Sequence, residues 1–135
     1  MDSDEILLIP KTMEKFLGFS GKMVKPSLNS VKNVVNRIKK GKLATLETLR
    51  EKLASDFNVQ TTCPASLNKA LKILSKQENP ICYWRVVKKK GELIAHFPGG
   101  FEGHSTLLEC EGFEIDFSKK SPIVVGYLNK LDELA

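Results

Sequence analysis

Cysteine, histidine and aromatic residues are all scarce in this chain. Its 135 residues hold three cysteines, two histidines, one tryptophan and two tyrosines. Cys63, Cys82 and Cys110 stand far apart with no CxxC pair among them. A zinc centre needs several soft ligands at short spacings, so no metal site is expected. An odd count of thiols argues against a disulfide framework and for free thiols in a reducing compartment. No apolar run approaches the roughly 20 residues that span a bilayer. The opening MDSDEILLIPK is acidic at its start and only briefly apolar, which is unlike a secretory leader. These absences lead us to expect a cytoplasmic protein with no membrane partner, lying beside the nucleoid if the source is bacterial.

What is present is ordinary for one globular domain. Hydrophobic residues make 41% of the chain and charged residues 27%, enough for a single core at this length. The formal net charge is +5. That permits a nucleic-acid partner without requiring one, and the placement of the lysines decides more than their number.

Residues 1–26 read as a leader with a short helix around Lys11 to Leu17, punctuated by Gly18, Gly21 and Pro26. From Leu28 the apolar residues Val31, Val35 and Ile38 recur at helical spacing, and Gly41 is the stop signal. Thr45 is a candidate N-cap for a second helix that buries Leu46, Leu49 and Leu53. Pro64 suits the first turn of a third, with Leu67, Leu71 and Leu74 inward. The periodicity then changes. Tyr83 to Val87 is aromatic and β-branched and predicts a strand. Lys88-Lys89-Lys90-Gly91 predicts a turn, and Glu92 to Phe97 a returning strand. Residues 104–111 predict a short helix closed by Gly112. Ser121-Pro122 opens a last helix with Leu128, Leu131 and Leu134 on one face.

Three helices followed by a basic-tipped hairpin predict a mainly α domain with a small β-hairpin, a winged helix-turn-helix. We expect the leader over 1–26, the winged helix domain over 27–117, and a C-terminal helix over 118–135 packed on the same domain.

Arg85-Val86-Val87 begins a series of motifs that resembles the DNA-binding domain of the methylated-DNA–protein cysteine methyltransferases. That family carries a PCHRVV active-site run, then a glycine, a Tyr-Ser-Gly-Gly-like corner and a helix ending Leu-Leu-x-x-Glu-Gly. Gly91, Phe97-Pro98-Gly99-Gly100, Leu107-Leu108 and Glu111-Gly112 follow in that order here. Upstream, Ile38 with Gly41, then Leu49, and Asn79-Pro80 are similar to further family positions. The resemblance spans about residues 28 to 112. It implies minor-groove binding of duplex DNA and rotation of an alkylated guanine out of the stack, because the reacting atom is inaccessible inside the duplex.

Against that resemblance the chemistry is missing. Tyr83 stands at the family's cysteine and Trp84 at its histidine, while Glu111 keeps the glutamate's place. Alkyl acceptance needs a thiolate, and a phenol with a pKa near 10 is an inferior acceptor. Leu46 stands where the family has a phosphate-pressing tyrosine, Asn68 about where it has an arginine finger, Phe97 at a pocket tyrosine and His104 at a lysine. The chain is closest in kind to the alkyltransferase-like proteins, which bind alkylated DNA without repairing it.

The resemblance therefore implies a non-enzymatic binder of double-stranded DNA, a monomer without cofactor, with repair proteins as further partners. The lesion pocket would be lined by Tyr83, Trp84, Phe97 and Glu111. DNA would meet Thr45, Ser66, Asn68, Lys69, Lys72, Arg85, Lys88 and Lys89. Two alternatives stand beside it. Cys82, one residue from the family's nucleophile, could accept an alkyl group, although free cysteines more often pack in cores. The domain could also serve as a protein-interaction module, with its C-terminal tail as the docking helix.

Overall fold

The computed structural model describes residues 3–18 and 20–134. Among them are five α-helices and three small sheets.

The leader folds into more than one helix. Strand β1 (Glu5–Leu8) runs antiparallel to β2 (Lys22–Lys25), with Ile6 opposite Val24. Between them α1 (Lys11–Leu17) ends at Gly18, whose φ of 76° is left-handed and natural for glycine. Beneath this layer Ile9, Met23 and Cys63 form a small core of their own.

Helix α2 (Leu28–Val35) is capped by Ser27, whose Oγ accepts the Ser30 N–H at 3.1 Å. It stops well before Gly41. The amides of Arg37 and Ile38 bond three residues back, to Val34 and Val35, which tightens the last turn and breaks the helical register. Ile38 is still carried into the core. Strand β3 (Ala44–Thr45) leads directly into α3 (Leu46–Asp56), with Thr45 as the N-cap the sequence predicts. Strand β4 (Thr61–Thr62) then lies parallel to β2, in the order β1-β2-β4.

Helix α4 (Pro64–Ser75) begins with proline at its first turn. Leu67, Ala70, Leu71 and Leu74 are buried against Val31, Val34, Leu49 and Leu53, so α2, α3 and α4 share one core. Complete burial of Leu71 contributes about 2 kcal/mol of transfer free energy.

The predicted hairpin does not form. Tyr83–Arg85 make one 3-10 turn, and strand β5 is only Val86–Val87, paired parallel with β3. The lysine turn is present: Lys88 N–H donates to the Glu92 carbonyl at 2.9 Å, and Gly91 N–H returns to Lys88. Beyond it the chain is taken by another segment. Glu92 bridges Ile123, and Leu93 N–H donates to Pro122. Helix α5 (Gly100–Cys110) starts four residues before the predicted position. Its first turn is admitted by Gly103, where any Cβ would collide with the Pro98 carbonyl.

The predicted C-terminal helix is absent. Strands β6 (Ile115–Asp116) and β7 (Ile123–Val124) pair antiparallel, and Tyr127–Lys130 form a 3-10 turn. Consecutive β-branched residues and Gly126 are poor helix formers. The extended tail instead makes two backbone bonds of 2.8 Å to Leu43, from its amide to Lys130 and from Asp132 to its carbonyl. Leu128, predicted on an inner face, is 69% exposed, whereas Leu134 is buried. The tail is a strap over a second core of Leu43, Val87, Leu93, Leu108 and Phe113.

Candidate nucleic-acid interface

The 3-10 turn at Tyr83–Arg85 places three consecutive side chains in three different settings. Arg85 reaches inward. Its Nε and Nη2 each lie 3.0 Å from Glu111, and its Nη1 donates to the Ile38 carbonyl at 2.8 Å. The two side chains are only 13% and 9% exposed. Arg85 was expected at the DNA; it is instead a strut joining the ends of α2 and α5. Trp84 Nε1–H donates to the same carboxylate at 2.8 Å. Burial tends to raise the Glu111 pKa, but hydrogen bonds from Arg85 and Trp84 and the guanidinium charge outweigh it. The net result is a carboxylate held below its ordinary range.

Tyr83 is buried, edge-on to Trp84 with centroids 5.4 Å apart and to Phe97 at 4.8 Å. Burial raises the phenol pKa and keeps its proton in place. Phe97 in turn meets His104 at 5.0 Å. His104 is fully buried. Its Nδ1 accepts the Ile94 N–H at 3.0 Å, which makes Nε2 the protonated nitrogen that donates to the Trp84 carbonyl at 2.8 Å. Burial pulls its pKa down to about 4, so the ring is neutral.

The structure thus links Tyr83, Trp84, Phe97 and Glu111, the four residues named for a lesion pocket, through ring contacts and the Trp84–Glu111 hydrogen bond, and sets His104 against Phe97 and the Trp84 carbonyl. Sequence reasoning gave His104 no part, although its standing at a lysine position was the one available signal. Cys82 is half-buried just ahead of the turn. A thiol there would need a base to draw off its proton. Both nitrogens of His104 are committed to backbone groups, and both oxygens of Glu111 are held by Arg85 and Trp84.

A basic surface lies to the side of this cluster. Asn68, Lys69 and Lys72 are exposed on α4, as is Lys76 at its C-cap, and Ser66 is half-buried near its start. Lys88, Lys89 and Lys90 are exposed at the lysine turn. Lys89 leans on Glu47 at 3.6 Å, an exposed pair of small energetic consequence. Thr45, expected to touch DNA, is buried, and its Oγ1 is spent on the Thr48 amide. His96 is exposed in the turn before α5. Partial desolvation first, then the charges of Lys72, Lys88 and Lys76, lower its pKa against a backbone hydrogen bond that raises it.

No family model matches the chain, and no curated protein matches it. A solved structure does: the crystal structure of S. pombe Atl1 in complex with damaged DNA containing O6-carboxymethylguanine. The TM-score is 0.59 at 19% sequence identity, over 78% of this chain and 93% of that one. At that identity the likeness establishes shared architecture, and this chain has the fold of Atl1, an alkyltransferase-like protein of the kind its motifs resemble.

Proposed function

We propose that this protein binds duplex DNA in the setting of alkylation damage and transfers no alkyl group. The observation that carries the reading is the fold shared with Atl1, which was solved on DNA containing O6-carboxymethylguanine. Two features of the chain support it. The outer side of α4 and the lysine turn both expose lysines, with α3 and α4 as the helix pair and the turn as a reduced wing. The aromatic cluster lies next to it, with Trp84 as its half-exposed member and a π-face for an extruded guanine.

The absence of transfer follows from how the polar groups are used. Tyr83, at the resemblance's nucleophile position, keeps its proton. His104 and Glu111, the acid–base candidates, are saturated by internal hydrogen bonds. A lesion bound here would persist and be left for repair proteins.

The test is an anisotropy titration with two duplexes differing only by one O6-alkylated guanine, at low and moderate salt, followed by intact-mass analysis. Tighter binding to the damaged duplex with unchanged mass is the expected outcome. Equal binding would remove lesion reading and leave duplex binding. No salt-dependent binding to either would overturn the proposal, and a mass gain of one alkyl group would overturn its non-enzymatic half.

A further inference from the structure

We propose that the outer edge of β1 is a self-docking surface, where a second copy of this chain pairs antiparallel about Leu7 and extends the sheet across both copies. The resulting dimer takes the place of the monomer that the motif resemblance implies, and it asks nothing of the DNA-binding reading.

The sheet runs β1-β2-β4, so β1 lies at its edge. Hydrogen bonds fix which way its backbone groups point. Ile9 N–H donates to the Gly21 carbonyl at 2.7 Å, which makes these two a hydrogen-bonded pair in the β1–β2 register. Antiparallel pairs alternate, so Leu7 with Met23 and Glu5 with Lys25 are bonded likewise, whereas Ile6 and Leu8 turn their amides and carbonyls outward. Strand β2 agrees. Its Lys22 and Val24, opposite Leu8 and Ile6, turn their carbonyls away from β1, to the amides of Gln60 and Cys63 at 3.0 and 2.9 Å. Among the described residues no further strand meets the outward groups of Ile6 and Leu8.

The side chains at this edge are apolar. Ile6 is 51% exposed and Leu8 72%. Successive strand residues alternate between faces, so Ile6 and Leu8 share one face, while Leu7 on the other packs on the small core of Ile9, Met23 and Cys63. Edge strands are commonly guarded by lysine, proline or a bulge. Glu5-Ile6-Leu7-Leu8 has none of these.

Register and charge select the occupant. An antiparallel partner must set outward residues opposite outward residues. A two-fold axis at Leu7 does so. It pairs Ile6 of each copy with Leu8 of the other, each pair exchanging both N–H···O bonds, and joins these side chains in one apolar cluster. An axis at Leu8 would oppose Ile6 to Pro10, which has no N–H to give. An axis at Ile6 would set Leu8 against Asp4, whose carboxylate is already held by the Ser27 amide. The segment is also acidic at its start, Asp4-Glu5, and basic past its end, at Lys11. Antiparallel pairing brings the acidic end of one copy to the basic end of the other, whereas parallel pairing opposes like charges. Such an interface is isologous and closes at two copies.

The test is sedimentation equilibrium of the full chain over a wide concentration range, with amide hydrogen exchange read by NMR at both ends of it. The mass should climb from one chain towards two. The Ile6 and Leu8 amides should exchange freely in dilute protein and become protected several-fold when it is concentrated. The Leu7 amide, bonded to β2, should be protected throughout. Leu8→Lys and Ile6→Lys each change an exposed side chain, so both should keep the wild-type circular dichroism and stay single at every concentration. A wild type that stays single overturns the proposal, as does a mass that climbs past two. A dimer that leaves the Ile6 and Leu8 amides unprotected, or that survives both lysine substitutions, overturns it equally.

Discussion

The indole N–H of Trp84 donates to Glu111 Oε2 at 2.8 Å across 27 residues of sequence, and Arg85 donates to both oxygens of the same carboxylate. Adjacent residues on one 3-10 turn are thus tied to the C-terminal end of α5. In the resemblance, these are a histidine's place and a glutamate's place. Here the donor is an indole, which has no proton-accepting nitrogen.

Glu111→Ala should strand Arg85 in a nearly closed site. Removing one partner of a buried pair costs about 3 kcal/mol or more, readable by chemical denaturation. The pH dependence has a matching sign. The folded pKa of Glu111 lies below its ordinary value of 4.5. Its contribution to stability is therefore complete above that value and lost as pH falls through the lower folded value. Glu111→Gln should flatten that acid limb.

His104 predicts a second, higher-pH slope. Its pKa is about 4 in the folded protein against 6.5 ordinarily. The unfolded chain binds the proton first, so stability is greatest above pH 6.5 and falls between there and about pH 4. A shift of this size corresponds to about 3 kcal/mol. Urea titrations at successive pH values should show the decline, and ring-nitrogen NMR should show a neutral ring protonated at Nε2.

Restoring a thiol should not restore transfer. Tyr83→Cys places a cysteine at the resemblance's nucleophile position, but His104 and Glu111 are engaged in internal hydrogen bonds and not free to take its proton. Incubation with an O6-alkylated duplex should leave the intact mass unchanged over hours. A rapid gain of one alkyl group would show that the hydrogen-bonded cluster is more open than its geometry states.

The lysines of α4 and the turn should act through phosphates. Lys72→Ala and Lys88→Ala should each weaken binding to damaged and undamaged duplexes alike. Each should also reduce the slope of log K against log salt by about one. A change confined to the damaged duplex would instead place that lysine at the base.

The helices were legible because their signals are local. Thr45, Pro64 and the leucine spacing of α3 and α4 each act within one or two turns of the chain. The strands were less legible. Tyr83 to Val87 has strand composition, yet only Val86–Val87 is paired, because the available edge belongs to β3, more than 40 residues away. The C-terminal leucines have helical spacing, yet Leu43 and Gly91 offer the tail backbone partners that a helix would forgo. The same limit hid Arg85. A basic residue beside a lysine turn suggests DNA, and nothing local reveals a carboxylate 26 residues on that turns it inward.

By itself the sequence determined three core helices, the Thr45 cap and the Pro64 start, a lysine-tipped turn, and a resemblance in which Tyr83 and Trp84 stand at a cysteine's and a histidine's place. Those features depend on residue type and on neighbours within a few positions. Tertiary structure alone decided which charges face outward and which are consumed. It spent Arg85 and Glu111 on each other, neutralised His104 between two backbone groups, and left Lys72, Lys76 and Lys88 exposed. The reason is physical: burial and charge proximity set a group's protonation and its partners, and both are properties of the folded chain.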